Sequence, residues 1–481
     1  MHATGAVFRN PVGPDTVYEA IIAEFKAGED SSCNIMVIRN AFTDQRWGRR
    51  LLADYGMVFV LLLLMITFSL LTLTRQSSTG VDAGRDVAAR IIRQYGTTAR
   101  ILIAVPFGEQ NRKFAAGAEE VFGTAGVKLA GTVIGTPADA RAMLERLAKT
   151  GELPDAVAVT DKSSQWAVFG RYPQLSPDRL VEPSQSPWPV FLKAENLLGV
   201  ASQTAIYAII AVGMTMVIII REIDLSVGSV LALASVTATA FIRDFGGGST
   251  ASLAAICAGC FLALGVTSLA GALNGVMLTV ARLPSFIVTL AMMLIARGLA
   301  QRISAQQSIG DIPAAFRWLG GGSLGGIPNP VWLMLMFYAI AHFVMGRTVF
   351  GRVLYAIGGN PEAARLCGIR VQWWRFLVFT LSGALSGLGG ILLSSRLNAG
   401  DPKYGEMYEL EVIAAVVVGG TSLMGGEGRM FGTLIGAFII AVIRNGMNLL
   451  GVESSSQSIV LGSVLLLAVL ADQIKRRWQP A

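Results

Sequence analysis

Two carboxylates occupy an expensive position. In "REIDLSVGSVLALAS", Arg221 to Ser235, Glu222 and Asp224 fall at the junction of two apolar runs. Acids inside or bordering membrane-length runs mark either function or a structural salt link, and Asp224 is equally well placed to cap the helix that follows. A second group lies in "GGNPEAARLCGIR", Gly358 to Arg370. Asn360 suits an N-cap, Pro361 the first helical position, and Glu362 places negative charge on the positive end of the dipole. Gly368 supplies the left-handed residue that stops the helix. A helix of about seven residues is roughly 10 Å long, too short to cross a bilayer. It therefore lies beside the membrane and touches something else. Ala363 and Ala364 permit close approach, and Glu362 and Arg365 offer polar register.

The chemistry that is missing narrows the function. No GxxxxGK[ST] phosphate loop occurs, and no glycine is followed by lysine, so ATP hydrolysis is not carried by this chain in the usual way. Two histidines, His2 and His342, do not assemble a zinc site or acid-base catalysis. The "CAGC" of Cys257 to Cys260 has redox spacing but sits in an apolar helix, where both residues read as small packing groups. Transport is the default for many short, glycine-rich spans with polar residues between them. A neutral, polyhydroxylated solute needs hydrogen-bonding side chains in an apolar channel. Asn274, Thr289, Asn398, Asn445 and Asn448, with Asp224, meet that need, although each also suits helix packing.

The elements that position these groups follow from hydropathy. The chain is 481 residues long, 53% hydrophobic and 15% charged, with 54 glycines, and its mean hydropathy is +0.56. These values describe a polytopic membrane protein. About ten apolar segments are expected, near residues 56–73, 201–220, 227–242, 251–276, 286–299, 331–345, 376–393, 412–423, 431–449 and 459–470. The segment at 412–423 is either a span or re-entrant. With the N-terminus inside, inner loops and flanks collect fifteen Arg and Lys from Arg39 onward, against five in the short outer loops. That asymmetry places both termini and the Asn360 helix in the cytoplasm, and it accounts for the net charge of +7 without nucleic acid. The glycine-dense stretch from Ala414 to Phe438 forms either tight helix contacts or a broken helix lining a cavity.

Residues 74–190 change character. "ARILIAV", "VKLAGTVIG" and "DAVAVT" read as strands, separated by helices at 111–126 and 136–151, the second capped by Thr136 with Pro137 next. The alternation implies a small parallel sheet, on the outer side by the charge rule, with a Pro- and Ser-rich linker over 170–189. The expected plan is a cytoplasmic segment over 1–50, a first span over 51–73, the α/β insert over 74–190, and an all-α permease core over 191–481 with a cytoplasmic loop at 346–375. Residues 16–28 form an amphipathic helix or an unstructured tail.

Five strings carry a resemblance: "AVGMTMVIIIREIDLSVGSVLALAS", "ARLPSFIVTLAMMLIARGLA", "GRVLYAIGGNPEAARLCGI", the run from Leu377 to Ala437, and "NGMNLLGV". In order and wording they resemble the permease subunits of bacterial ribose, xylose and arabinose type ABC importers. The resemblance covers residues 51–73 and most of 197–472. It implies a monosaccharide importer permease in the bacterial inner membrane, not itself an enzyme and binding no cofactor. It also implies a second permease chain, cytoplasmic ATPase subunits that use ATP, and an external sugar-binding protein. "EAARLCG", Glu362 to Gly368, resembles the EAAxxxG coupling helix that sits in a groove of the ATPase; Asn360, Glu362, Ala363, Ala364, Arg365 and Gly368 are carried over in that role. Two departures stand out. The family's usual GGIDLSVGS is here REIDLSVGS, and its usual short loop after the first span is here an insert of more than a hundred residues. "LPDAVAVTDKSSQWAV", Leu153 to Val168, resembles a strand and turn of a sugar-binding lobe, with Thr160 where Asn is more usual, and a domain that docks the binding protein or hands over substrate is expected. Other readings are a permease for an amino acid, nucleoside or signalling furanone, or a membrane receptor sensing ligand through the outer domain.

Overall fold

The computed structural model describes residues 45–477 of the chain; the stretch at 16–28 lies outside them. Helix α1 (Gln45–Leu71) leads into the segment that carries the strands. That segment hangs from a two-stranded antiparallel ribbon in which β1 (Leu73–Ser77) pairs with β6 (Gln185–Pro189), Leu73 opposite Pro189. Beyond the ribbon lie α2 (Gly80–Tyr95), β2 (Arg100–Pro106), α3 (Glu109–Thr124), β3 (Lys128–Gly135), α4 (Pro137–Thr150), β4 (Ala156–Val159) and β5 (Leu180–Val181). The four strands β2 to β5 form one parallel sheet in the order β3-β2-β4-β5.

The alternation of β2 explains its position. Ile101, Ile103 and Val105 pack with Val87, Ile91, Phe114 and Phe122 of α2 and α3. Leu102 and Ala104 point to the other face, against Ala140 and Leu144 of α4. Helix α4 begins with a complete capping box, the Asp139 amide donating to Thr136 Oγ1 at 3.4 Å and the Thr136 amide to Asp139 Oδ2 at 2.7 Å. Asp139 is exposed, and its hydrogen bonds to the Thr136 backbone and hydroxyl hold its carboxyl below the usual range. The stretch 170–189 is not the linker its composition suggested. It contributes β5 to the sheet and β6 to the ribbon, where Pro187 and Pro189 are tolerated because a two-stranded ribbon leaves one edge of each strand unpaired.

The rest of the chain is helical. The helices are α5 (Ala194–Ile219), α6 (Val227–Asp244), α7 (Leu253–Thr279), α8 (Ser285–Ile303), α9 (Arg317–Gly321), α10 (Asn329–Arg347), α11 (Val349–Gly359), α12 (Pro361–Leu366), α13 (Val371–Leu397), α14 (Tyr408–Val418), α15 (Met430–Leu449) and α16 (Ser454–Arg477). A hairpin of β7 (Ser323–Leu324) and β8 (Ile327–Pro328) joins α9 to α10. Among the described residues, seven helices have the length and apolarity to cross a membrane: α5, α6, α7, α8, α10, α13 and α15. The shortfall from about ten has a geometric reason. Helix α14 has 11 residues, about 16 Å at 1.5 Å per residue, half a bilayer core, and the apolar parts of α1 and α16 are short, Gly56–Leu71 and Ser454–Leu470.

Helix α5 is apolar all round and buried along most of its length, packed against α10, α13, α14 and α15. Close approach comes from small residues. A Cβ on Gly271 of α7 would overlap the Phe379 carbonyl of α13, and one on Gly383 would overlap the Thr267 carbonyl in return. The outward faces are apolar, with Phe261 73%, Leu294 67%, Phe343 62% and Leu466 70% exposed, as hydrocarbon contact requires. Cys257 belongs to this exposed surface and is not a packing residue.

Two non-helical segments run inside the bundle. After Ile219 the chain turns back: the Ser382 hydroxyl bonds Asp224, and the same residue abuts Gly213 of α5. Asp224 therefore sits level with Gly213, about 9 Å back from the end of α5. Residues 398–407 run along α6 in the opposite direction, with Gly400 against Thr239 and Gly405 against Gly228. Gly228 and Gly405 meet so closely that a Cβ on either would overlap the other's carbonyl oxygen. Irregular backbone at membrane depth is tolerated only where protein or a cavity surrounds it.

Candidate functional site

The polar groups fall into two clusters at opposite ends of α5. At the Ile219 end stands the short helix α12. Asn360 Oδ1 accepts from the amides of Glu362 and Ala363, both at 3.0 Å, Pro361 takes the first position, and Gly368 turns left-handed at φ 85°. The helix is Pro361–Leu366, six residues rather than about seven. Glu362 and Arg365 pair across one turn at 3.0 Å in the open, Ala364 is buried, and Leu366 is 84% exposed.

The two residues that replace the glycine pair brace this helix on both sides. Arg221 adopts φ 65°, where glycine would sit without strain. Its guanidinium donates from Nε to the Gly358 carbonyl and from Nη2 to the Gly359 carbonyl, both at 2.6 Å, capping the end of α11 just before Asn360. Glu222 pairs with Arg375, in the first turns of α13, at 3.2 Å, both largely buried. Burial pushes the Glu222 carboxyl above the ordinary range, while Ser285 and Arg375 pull it down. The glycine-rich loop after α14 closes the joint: the Gly426 amide donates to the Ile219 carbonyl at 2.9 Å, and the Tyr355 hydroxyl to the Gly428 carbonyl at 2.7 Å.

Asp224 is two residues upstream of the N-cap it was expected to fill; Ser226 holds that position. Its Oδ1 accepts from the Ser226 amide at 3.0 Å and hydroxyl at 2.6 Å, and its Oδ2 from Ser382 at 2.9 Å. Asn274 Nδ2 donates to Ser226 Oγ at 3.1 Å, and the Thr289 hydroxyl donates to Ser285 at 2.9 Å and lies 3.4 Å from the Ile223 carbonyl. Asp224, Asn274 and Thr289 are thus brought together around one loop, buried at Asp224 and Ser226 and joined directly to the Arg221 and Glu222 braces.

The second cluster lies where the strand-bearing segment joins the bundle. Asn445 and Asn196 exchange amide bonds at 2.9 and 3.0 Å. Asn448 accepts from Gln457 at 2.7 Å. Beside them Arg444 of α15 pairs with Glu411 of α14 at 2.6 Å, Glu411 being 9% exposed. A cavity of about 340 Å³ lies between α14, α15 and α16, lined by Glu406, Glu411, Arg444, Gln457 and Ser458 among apolar side chains. Asn398 stands apart, a left-handed C-cap of α13 at φ 51° whose Nδ2 lies 3.5 Å from the Ile312 carbonyl. The glycine-dense stretch does two things: Gly419 and Gly436 let α14 and α15 touch backbone to backbone, and residues 419–429 break the helix between them.

Sequence reasoning missed Arg221, Ser226, Ser382 and the Glu411–Arg444 pair. The rule that singled out Asp224, an ionisable residue in an apolar run, applies equally to Glu411 and Arg444. A string of the form Gly-x-Ser-x-Gly does occur, Gly321 to Gly325, but Ser323 is exposed in the β7–β8 hairpin and not on a strand-to-helix turn. Thr160 and Ser163 bond each other at 3.0 Å, closing the turn after β4.

A multi-pass helical membrane protein with interrupted helices and a capped helix beside the bundle is the architecture of a solute permease. Residues 196–469, more than half the chain, match the family described as branched-chain amino acid transport system / permease component, and the chain belongs to that family of transport permeases. It is 44% identical to the ribose import permease protein RbsC of Escherichia coli over 292 residues, 60% of this chain and 88% of that protein. It is 39% identical to the L-arabinose ABC transporter permease protein AraH of Azospirillum brasilense, over 61% of this chain and 84% of that one. The xylose transport system permease protein XylH of Escherichia coli is 37% identical, over 60% and 87%. No solved structure matches the chain.

Proposed function

We propose that this chain is the permease subunit of an ATP-driven importer for a monosaccharide of the ribose, arabinose and xylose class. Similarity to three pentose permeases supports the solute class. The observation that carries the energy coupling is α12, rigidly capped by Asn360 and Gly368, braced by Arg221 and Glu222, and offering Leu366 outward. A chain without a phosphate loop takes up work through such a protrusion: a cytoplasmic ATPase subunit seats α12, and its movement passes through the braces to the Asp224 loop and the helices around it. Asp224, Asn274, Thr289, Asn398, Asn445 and Asn448 are the polar groups offered to the pathway.

In this reading the protein lies in the bacterial inner membrane with both termini cytoplasmic: the apolar parts of α1 and α16 cross together with the seven longer helices, and the segment 398–429, with the short α14 in its middle, makes the tenth crossing as it runs back from the far end of α13 to the Ile219 end of α5. A second permease chain completes the pathway, and no cofactor is bound by the chain itself. The β2-to-β5 domain faces outward and docks the sugar-binding protein. Supporting that placement, it joins the bundle at the Ala194 end of α5, whereas α12 stands at the Ile219 end, about 39 Å away along the helix.

The test is uptake of labelled ribose, arabinose and xylose by cells carrying the importer, with ATP hydrolysis measured in parallel on reconstituted complexes. Gly368→Val forces a β-branched residue into φ 85° and should abolish solute-stimulated ATP hydrolysis and uptake while leaving the chain in the membrane. Normal coupled uptake by that variant refutes the coupling role, and failure of the unaltered importer to carry any of the three sugars refutes the solute class.

A further inference from the structure

The bond left unmade at Glu411 identifies a second functional place. One carboxylate oxygen takes the Arg444 guanidinium; the other, Oε2, is buried and has no partner. A charged oxygen without a donor in apolar surroundings is costly, and evolution had the simpler option of an apolar pair here. Glu411 lines the cavity between α14, α15 and α16, whose volume of about 340 Å³ falls at the small end of ligand sites, roughly 300–1,000 Å³. Around it stand complementary groups. Arg444 donates from one nitrogen to Glu411 and lines both this cavity and a small neighbouring space shared with Asn445 and Asn448. Gln457 spends its amide nitrogen on Asn448 and Val452, which leaves its carbonyl oxygen as an acceptor. Ser458 donates to the Ser454 carbonyl and keeps its lone pairs. Leu410, Ile440, Leu461 and Leu465 supply apolar walls.

We propose that this cavity is a solute subsite of the permease itself, holding a neutral polyol the size of one sugar ring, with a ring hydroxyl donating to the Glu411 carboxylate, which turns its unpartnered oxygen to the solute, and others accepting from Arg444. A sugar hydroxyl both donates and accepts, so a carboxylate beside a guanidinium matches vicinal hydroxyls in a way that an apolar or singly charged wall does not. Two carboxylates, Glu406 and Glu411, against one guanidinium also disfavour anions, which sets neutral sugars apart from phosphorylated ones. The site opens at the end of the bundle that carries the strand domain, because Asn445 beside Arg444 bonds Asn196 at the start of α5. It is where an incoming solute first meets the membrane helices. This inference rests on the importer reading and deepens it.

Gly462 on α16 allows a direct test, since it lines the cavity and a Cβ there meets nothing within 4 Å. In cells carrying the complete importer, uptake of labelled ribose, arabinose and xylose is measured for the unaltered chain, Gly462→Leu, Glu411→Ala and the outward-facing control Leu466→Phe. Unaltered uptake of one pentose, with KM raised by about tenfold or more in Gly462→Leu and Glu411→Ala and unchanged in Leu466→Phe, supports the subsite. An excess of ribose 5-phosphate should not compete. Unchanged KM in Gly462→Leu overturns the subsite while leaving the importer reading intact; no pentose uptake by the unaltered chain overturns the importer reading itself. Should Gly462→Leu fail to insert, Gly462→Cys, with the native cysteines replaced by serine, is labelled with thiol reagents of increasing size. Slower labelling in the presence of the transported pentose supports the subsite, and labelling that the pentose leaves untouched overturns it.

Discussion

The brace at Arg221 makes opposing demands on one residue, and their sizes can be worked out. A non-glycine residue in the left-handed region costs about 1–2 kcal/mol; Arg221 accepts that at φ 65°. In exchange it makes two charge-assisted hydrogen bonds of 2.6 Å to Gly358 and Gly359, each worth about 1.5–3 kcal/mol when buried. The Nη2 bond is exposed and the Nε bond half-buried, so a joint contribution of about 3 kcal/mol is reasonable after screening. Arg221→Ala keeps the strain and loses both bonds, a loss of about 3 kcal/mol at the joint. Arg221→Gly loses the bonds and also the strain, but glycine restores about 0.5–1 kcal/mol of chain entropy to the unfolded state. Its net loss should be smaller, about 2–2.5 kcal/mol. The order of stability is therefore Arg, then Gly, then Ala, with Gly above Ala where a helix scale puts it below. Thermal unfolding of the purified chain in detergent gives the order, and hydrogen exchange of the Asn360, Glu362 and Ala363 amides shows whether the loss is local to α12. Equal stability of the Ala and Gly variants would refute the strain argument, and unchanged exchange in both would refute the brace.

Two further predictions test other parts of the fold. Gly228→Ala places a Cβ into the Gly405 carbonyl oxygen and beside the Glu409 carboxylate, and the two embedded segments must separate; a loss of about 2–4 kcal/mol in thermal unfolding is expected, and a loss under 1 kcal/mol would show that the segments do not meet as described. In the strand domain, the Asp139 carboxyl titrates below its ordinary value because the Thr136 amide and hydroxyl bind its charged form. Its folded-state pKa lies below the unfolded one, so its contribution is complete above the unfolded range near about 3.9 and is lost as pH falls through the folded value. Exchange of the Thr136 and Asp139 amides should rise across that acid window and stay flat in Asp139→Asn.

How much of this was legible beforehand varies with the range of the interactions concerned. The cap at Asn360, the stop at Gly368, the capping box at Thr136 and the strand periods of "ARILIAV" depend on neighbours within four residues, and the sequence states them outright. Membrane spans are equally local where a long apolar run forms one helix, as in α5 and α7. The short α14 was ambiguous because Gly419 and Gly420, which follow Val418, suit a close helix contact as well as a helix end, and the structure uses them for both: Gly419 abuts Gly432 of α15, and Gly420 turns left-handed at φ 83°. Residues 170–189 looked like a linker because proline marks an edge as readily as a loop, and the partner that makes β6 a strand lies more than a hundred residues away.

What the order of residues determined by itself was the solvent of each segment and the ends of its helices, since hydrophobicity and capping are properties of short stretches. What tertiary structure alone decided was which polar groups share a site. Arg221 reaches Gly358, Asp224 reaches Ser382, and Glu411 meets Arg444 across separations of 33 to 158 residues. No periodicity encodes such meetings, because each depends on where two non-helical segments fold back into the bundle and how closely glycines let the helices approach.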